Sequence, residues 1–322
     1  MDIKISVIIP VFNCEKYLDT CLTSVLMQNY QNYEIICIDD KSTDNSLDIL
    51  EKYAGKDNRI KILINDENKG PGYSRNNALD IAKGDYIFFL DGDDWIDKET
   101  LGLLYNQCEK DKLDLIMYKY IVYYEDSNVF DYEPYYDMNF MDKYDKKVFN
   151  HWDLKPEEVF DLPVGPCNKL YNKSFLDKNN IRFPNENLIQ EDNIFFYKTI
   201  TLAKKISILN RYFYNRRRRQ NSIMGSLDDD RLFSRIYIAD LMMCYFLTDE
   251  QLYSHYKKSL LKKISTHFTD ESYTIIKEEF KEEMYDAIHN FYIKFFDTYN
   301  LKEDIIKNVD GKILIKFGLI ED

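Results

Sequence analysis

Short apolar runs alternate with amphipathic stretches over the first hundred residues. Ile5-Ser-Val-Ile-Ile-Pro-Val-Phe-Asn13 is nearly continuous in apolar side chains and ends in a Pro and a polar turn, the pattern of a short buried strand. Residues 15–28 follow with Tyr17, Leu18, Cys21, Leu22, Val25 and Leu26 at helical spacing. Glu34 to Ile38 reads as a second strand running into Asp39-Asp40-Lys-Ser-Thr-Asp44. A helix is expected from near Thr43, with Leu47, Leu50 and Tyr53 on one face. Ile60 to Ile64 is a third strand. Gly70-Pro-Gly-Tyr-Ser-Arg75 opens a helix over 74–83, and the run from Tyr86 to Leu90 is a fourth strand. Strands alternating with helices predict βαβ units, a mostly parallel sheet, and an α/β fold. Right-handed crossovers then bring the strand-end loops 10–13, 39–44, 68–75 and 91–95 to one rim.

The second half reads differently. Ile206-Ser-Ile-Leu with Tyr212-Phe-Tyr214 is strand-like and leads into four arginines, Arg216 to Arg219. From about 226 the pattern becomes helical. Asp228–Asp230 open a helix with Leu232, Ile236, Ala239, Met243 and Phe246 on one face. Leu252, Tyr256, Leu260, Ile264 and Phe268 form a second stripe, and Ile276, Phe280, Met284, Ile288, Phe291 and Phe295 a third. These faces pack together or on the preceding domain, or carry a homo-oligomer contact. Lys257, Lys258, Lys262 and Lys263 flank the second stripe and offer a peripheral contact with an anionic membrane surface. The expected organisation is a domain over 1–225, in halves 1–110 and 111–225, and a helical region over 226–322.

Composition narrows the class. A net charge of −13 argues against non-specific nucleic-acid binding. Six scattered Cys, without a Cys-x-x-Cys pair, and four His make a zinc site an unlikely use of these residues; they read as reduced core thiols of a cytoplasmic protein. There is no basic-then-apolar leader at the N-terminus and no stretch of ~18 apolar residues, so neither a signal peptide nor a membrane span is expected. Tyr, at 27, is abundant; those in 118–144 form either a sugar-stacking surface or the edge of a core.

The chemistry gathers at Tyr86-Ile-Phe-Phe-Leu-Asp-Gly-Asp-Asp-Trp95. An apolar strand stops at Asp91, Asp93 and Asp94, with Gly92 expected to let the chain turn sharply. Carboxylates at the carboxyl end of a strand face the crevice where open α/β sheets bind ligands. Hard oxygen ligands in this density suit Mg²⁺ or Mn²⁺, which takes one or two carboxylates and completes its shell with phosphate and water. An acidic turn capping a helix is the plainer reading of the same residues. Pro10, Phe12 and Asn13 offer a rigid backbone and a ring for a nucleobase, and Asp40 an acceptor for a base N–H. Arg75 either pairs with phosphate or holds Asp85 or Asp93. Gly70-x-Gly72 is not a Gly-x-Gly-x-x-Gly fingerprint and does not follow the first strand, which disfavours a dinucleotide site.

In order and spacing, Ser6-Val-Ile-Ile-Pro-Val-Phe-Asn13, Ile38-Asp-Asp-Lys-Ser-Thr-Asp44, Arg75-Asn-Asn-Ala-Leu79 and Gly84-Asp-Tyr-Ile-Phe-Phe-Leu-Asp-Gly-Asp-Asp94 resemble the family 2 inverting glycosyltransferases of GT-A fold. Cys167-Asn-Lys-Leu-Tyr171, Phe183-Pro184 and Gln190-Glu-Asp192 resemble the acceptor half of the branch that builds capsules, teichoic-acid decorations and lipopolysaccharide. The resemblance implies a nucleotide-sugar donor and a glycan, lipid-linked or polyol-phosphate acceptor. It gives Pro10, Phe12 and Asp40 to the uracil of a UDP-sugar, Asp91 and Asp93 to ribose and metal, and the catalytic base to Asp192. It also implies a loop whose Arg219 and Ser222 close over the diphosphate, where the residues alone read equally as a solvated basic loop or a lipid-headgroup patch. Asp192, before the apolar Ile194 to Ile200, reads alone as a helix cap. Two other functions share parts of the pattern: a haloacid-dehalogenase-type phosphatase, whose Asp-x-Asp normally follows the first strand, and a non-catalytic sugar-nucleotide-binding scaffold.

Overall fold

The computed structural model describes residues 3–219, 233–269 and 277–321. The expectations for Ser222, Asp228–Asp230, Leu232 and Ile276 fall outside them. The chain divides into two compact units. The first comprises Met1–Leu154, Leu162–Asn187 and Phe195–Gln220; the second comprises Lys155–Asp161, Leu188–Ile194 and Asn221–Asp322.

The first unit is built on a sheet of nine described strands: β1 (Ile5–Val11), β2 (Tyr33–Asp39), β3 (Ile60–Ile64), β4 (Tyr86–Phe89), β5 (Trp95–Ile96), β6 (Leu115–Tyr124), β7 (Val129–Asp131), β8 (Lys169–Asn172) and β9 (Ile206–Arg218). Their order is β3-β2-β1-β4-β8-β6-β9-β5, with β7 beside β6. β1, β2, β3 and β4 are parallel, and β8 joins β4 and β6 antiparallel. β1 and β2 are mostly apolar and buried on both faces: Ile5, Val7, Ile8, Ile9, Ile35, Ile36 and Ile38 are all fully buried, and the buried Ser6 donates to Glu34 between the two strands. The helices are α1 (Leu18–Leu26), α2 (Ser46–Ala54), α3 (Gly70–Ile81) and α4 (Thr100–Asp111), then the short α5 (Pro134–Asp137), α6 (Pro156–Phe160) and α7 (Lys173–Lys178). α6 belongs to the second unit.

The strand order carries the functional consequence. From β1 the chain first builds outward through β2 and β3, then returns to place β4 on the other side of β1. This reversal opens a crevice at the carboxyl ends of β1 and β4, the place where open α/β sheets take ligands. The loops after Pro10 and Leu90 flank it.

Two expectations are corrected here. α3 begins at Gly70 rather than 74, since Pro71 suits the first helical turn, where an N–H is not needed. The arginine run is not a loop up to Arg218: β9 continues through it, paired in parallel with Val122 to Tyr124 of β6. The tyrosines in 118–144 run from buried to exposed, as at the edge of a core. Tyr118 and Tyr120 are buried and Tyr132 and Tyr135 are exposed.

In the second unit, α9 (Ser234–Phe246) packs with α10 (Glu250–Ser265) and with the helix Lys281–Asp297. Every member of the stripe Leu252, Tyr256, Leu260, Ile264 and Phe268 is buried. On α9 the buried face is rotated from the expected one: Ile238 and Met242 join Ala239, Met243 and Phe246, while Ile236 is half-buried. Of the four lysines beside that stripe, Lys257 pairs with Asp304 at 2.7 Å and Lys263 is partly buried, which leaves Lys258 and Lys262 as the exposed pair. Among the described residues, no helix is long and apolar enough to cross a membrane. All six Cys are free thiols.

Candidate active site

The rim loops are tied to one another by side chains bonding to backbone. Asn13, in the left-handed region at φ 51°, accepts from the Thr43 N–H at 2.8 Å, and its own N–H donates to Ser42 Oγ at 3.1 Å. Asn is among the few residues that adopt this conformation readily. The Asp44 carboxylate accepts from Glu15 N and Ser46 N, and Ser46 Oγ accepts from Cys14 N. The turn after β1 and the turn after β2 therefore form one body. β1 stays paired with β2 through Pro10 and Val11, and Phe12 projects beyond it, 37% exposed, which excludes it from the core.

Asp40 has a structural task. Its Oδ1 accepts from Asn65 Nδ2 and the Lys69 N–H, and its Oδ2 from the Gly70 N–H at 2.8 Å. It therefore caps α3 from a distance, not the helix that follows it. Gly70 is required there: φ is +84°, and a Cβ would lie 2.5 Å from Asn187 Oδ1. Asp39 accepts from Ser42 N through Oδ2 and keeps Oδ1 buried without a partner.

Arg75, on α3, reaches the Asp91 carboxylate at 2.9 Å, with its guanidinium 5.3 Å from the Phe183 ring. Its partner is thus Asp91, neither Asp85 nor Asp93. Gly92 does not take a left-handed turn; a Cβ there would stand 3.3 Å from Pro10 O and Cys14 Sγ, a tight approach where the two strand ends meet. The three carboxylates separate in role. Asp94 is buried, accepting from Tyr214 Oη at 2.6 Å and from Arg217 N at 2.7 Å, so it faces β9 rather than the crevice. Burial and the charges of Asp93 and Asp91 push its carboxyl well above the ordinary range. Asp93 is also pushed up, by burial first and by Asp91 second, with Arg219 pulling the other way.

The strand explains the arginine run. Alternation sends Arg217 and Arg219 to one side and Arg216 and Arg218 to the other. Arg217 is enclosed by the rings of Tyr17, Trp95 and Tyr123 and donates to Asp93 O at 3.0 Å. Arg219 sits over Tyr17 and bridges to Asp93 Oδ2 at 3.1 Å, leaving its Nε buried and without a partner. Arg218 pairs with Glu133, and Arg216 lies over Tyr136. Arg219 is the arginine that faces the carboxylates; Arg217 fixes the turn from behind. Sequence reasoning had no role for Arg217 or Tyr214.

The structure thus collects Pro10, Phe12, Asn13, Asp40, Arg75, Asp91, Asp93 and Arg219 in the first unit around one crevice. Asp192 is the first residue of α8 (Asp192–Leu202) and belongs to the second unit, where the preceding Gln190 takes φ 64° and accepts from Asn193 N. Among the described residues, no group of three or more His, Cys, Asp and Glu could hold a metal ion. Two carboxylates remain, Asp91 and Asp93. They fit a hard divalent cation in one respect: the repulsion that raises Asp93 is relieved by a positive ion between them, and Mg²⁺ or Mn²⁺ with a diphosphate asks for no more.

Comparison with known proteins agrees with this architecture. The family model described as glycosyl transferase family 2 matches residues 6–179. The chain is 38% identical over 214 residues to a poly(ribitol-phosphate) beta-glucosyltransferase of Bacillus spizizenii, covering 66% of this chain and 32% of that one. It is 34% identical over 229 residues to a cholesterol galactosyltransferase of Borreliella burgdorferi, covering 70% of this chain and 63% of that one. It therefore spans about a third of the first relative and less than two thirds of the second. The TarS 1–349 fragment of Staphylococcus aureus in complex with UDP-GlcNAc superposes with a TM-score of 0.70 at 27% identity, over 90% of this chain and 80% of that one. A parallel sheet that reverses at β1, with the Asp91-Gly-Asp93 turn at the point of reversal, is the GT-A arrangement, and the chain belongs to glycosyl transferase family 2.

Proposed function

We propose that this chain transfers a sugar, with inversion, from a UDP-sugar to a hydroxyl of a cell-surface glycan, lipid-linked or polyol-phosphate acceptor. The observation that carries the reading is the pairing of cations and carboxylates in the β1/β4 crevice: Arg75 with Asp91 and Arg219 with Asp93. A diphosphate brings negative charge to two guanidiniums already held in place. The relatives lend support, being named as glucosyl- and galactosyltransferases, with one structure in complex with UDP-GlcNAc. Neither a phosphatase nor a scaffold is favoured. The acidic turn follows β4 and not β1, and the matches are to transferases.

The roles follow. Pro10 and Phe12 pack against uracil, and Asn13 holds their turn. Asp40 fixes the start of α3 and keeps a lone pair on Oδ2 for the base N–H. Asp91 takes the ribose, and Asp91 and Asp93 are the ligands for Mn²⁺ or Mg²⁺. When bound, the cation neutralises the leaving diphosphate. Arg75 and Arg219 hold the phosphate oxygens, Ser222 being assigned to the same task. Asp192 is the base. As the acceptor oxygen attacks the anomeric carbon from the face opposite the diphosphate, the carbon–oxygen bond to UDP breaks, UDP leaves with the electron pair, and the hydroxyl proton passes to Asp192. In this reading residues 1–110 bind nucleotide, 111–225 shape the acceptor side, and the helices from 226 serve self-association or contact at the cytoplasmic face of the membrane.

Asp192→Asn tests the chemistry apart from binding. Turnover is expected to fall by ~10²–10⁴, the usual contribution of a positioned base, with UDP affinity by calorimetry nearly intact. Asn caps a helix almost as well as Asp, so a merely structural residue would leave turnover within a few-fold of the parent. That result would remove the base from the reading.

A further inference from the structure

The second unit contains a group of cations that the transfer reading does not use. Arg235 stands in the first turn of α9. Lys263 lies in the last turn of α10, and His267 follows four residues later in the 3-10 turn that continues that helix. A separation of four puts Lys263 and His267 on one face, and α10 packs on α9. The three act on one another. Burial pushes the His267 imidazole down to about 3, and Lys263 and Arg235 add to the shift. Burial lowers Lys263 and Arg235 as well.

Two half-buried cations beside a buried imidazole are unexpected in a chain of net charge −13. Two carboxylates among the described residues act on the cluster. Asp192 and Asp161 act on Lys263, opposing its shift. Arg235 Nε and His267 Nε2 are buried without any hydrogen-bond partner. Buried polar nitrogens are nearly always satisfied, and an exception calls for a reason. An oxyanion supplies one. A phosphate presents several acceptor oxygens, pairs with guanidinium and ammonium, and restores the charge of a depressed imidazole.

We propose that Arg235, Lys263 and His267 form a binding site for a phosphodiester group carried by the acceptor, beside Asp192. Lys263 is the link, since it interacts with both His267 and Asp192. A phosphodiester held by these three groups places a hydroxyl a few bonds away near the carboxylate. A neutral glycan has no use for two cations and a buried imidazole left without a partner. The role beside Asp192 rests on the transfer reading; the anion site stands independently of it.

The test is histidine-ring NMR on the whole chain, titrated with inorganic phosphate, with a soluble oligomeric polyol phosphodiester, and with vesicles of anionic phospholipid. UDP calorimetry is run on the same samples. The chain has four His, so His267 is resolved by its loss in His267→Gln. We expect both soluble phosphates to move the His267 signal and raise its titration midpoint, as a neighbouring anion favours imidazolium, with the phosphodiester binding more tightly. Arg235→Gln and Lys263→Gln should each weaken the effect by about tenfold or more, as befits loss of a charged hydrogen bond, while UDP binding stays intact and reports a folded chain. A His267 signal unmoved by either phosphate overturns the site. A response to vesicles alone overturns the acceptor assignment in favour of a lipid headgroup. Failure of UDP to bind would instead count against the transferase reading and leave the phosphate result to stand by itself.

Discussion

Tyr214→Phe isolates what holds the acidic turn in place. The Tyr214 hydroxyl donates to Asp94 Oδ2 at 2.6 Å and accepts from the Asp91 N–H at 3.2 Å. Its ring is fully buried and stacks on Tyr120 with centroids 4.4 Å apart. Phe keeps the ring and the stacking and deletes one oxygen. Asp94 then keeps the Arg217 N–H on its other oxygen, and the Asp91 N–H loses its acceptor. A hydrogen bond to a charged group contributes about 1.5–3 kcal/mol and an orphaned buried partner costs about 1–3 kcal/mol, overlapping at one site, so the expected loss is about 2–4 kcal/mol. Urea unfolding measures it directly. Because the same turn carries Asp91 and Asp93, UDP affinity by calorimetry should weaken in parallel. A double-mutant cycle with Asp94→Asn should give a coupling of about 1 kcal/mol or more, since both changes remove one bond. A stability loss below about 0.5 kcal/mol, the range of ordinary surface substitutions, would refute the role given to Tyr214.

Asp93→Asn preserves size and removes the charge, so Mn²⁺ should no longer strengthen UDP binding; an undiminished metal effect in calorimetry would exclude Asp93 as a ligand. Asp94 titrates higher in the folded chain than in the unfolded one, so the folded state binds more protons and stability falls as pH rises from about 4 toward that raised value. The advantage of Asp94→Asn over the parent should therefore grow with pH across this window and be smallest below it; parallel stability curves would contradict the assignment. Gly70→Ala forces a side chain into the left-handed region at a cost of about 1–2 kcal/mol, before its clash with Asn187 is counted, and an unchanged melting temperature would show that the turn relaxes freely.

The first four strands were legible because each is a short, mostly apolar run, buried throughout in β2 and β4 and nearly so in β1, and the helices between them because apolar positions recur at helical spacing or, for α3, because Gly-Pro opens it. The rim followed from connectivity alone, as did its residues. What escaped were the places where polar groups do the packing. β6, Leu115 to Tyr124, has a lysine at its centre, and Lys119 is buried only because Asp137, Asn139 and Asp142 surround its ammonium. Those partners lie some twenty residues away and no local pattern announces them. The arginine run looked like a loop because four like charges in a row suggest solvent; Glu125, Glu133 and Asp93, together with a cage of rings, let three of them sit in or beside a strand. Asp40 holds the start of a helix thirty residues on, a tie that no local pattern announces. For Asp91, Asp93 and Asp94 the spacing was plain, yet their division between crevice and interior depends on Tyr214, more than a hundred residues distant.

The ties between Asn13 and Thr43, Asp44 and Glu15, and Asp40 and Gly70 have an entropic side. Fixing the backbone of a free residue costs roughly 1–2 kcal/mol. Here the residues of the nucleotide rim are immobilised when the chain folds, by bonds that involve no ligand atom. A donor arriving at this rim meets groups already in position, and little of its interaction is spent on ordering them. Loosening any one tie, with every contact to the donor left intact, should then appear as weaker binding with a less favourable entropy, the signature of a site that must be assembled anew for each molecule it receives.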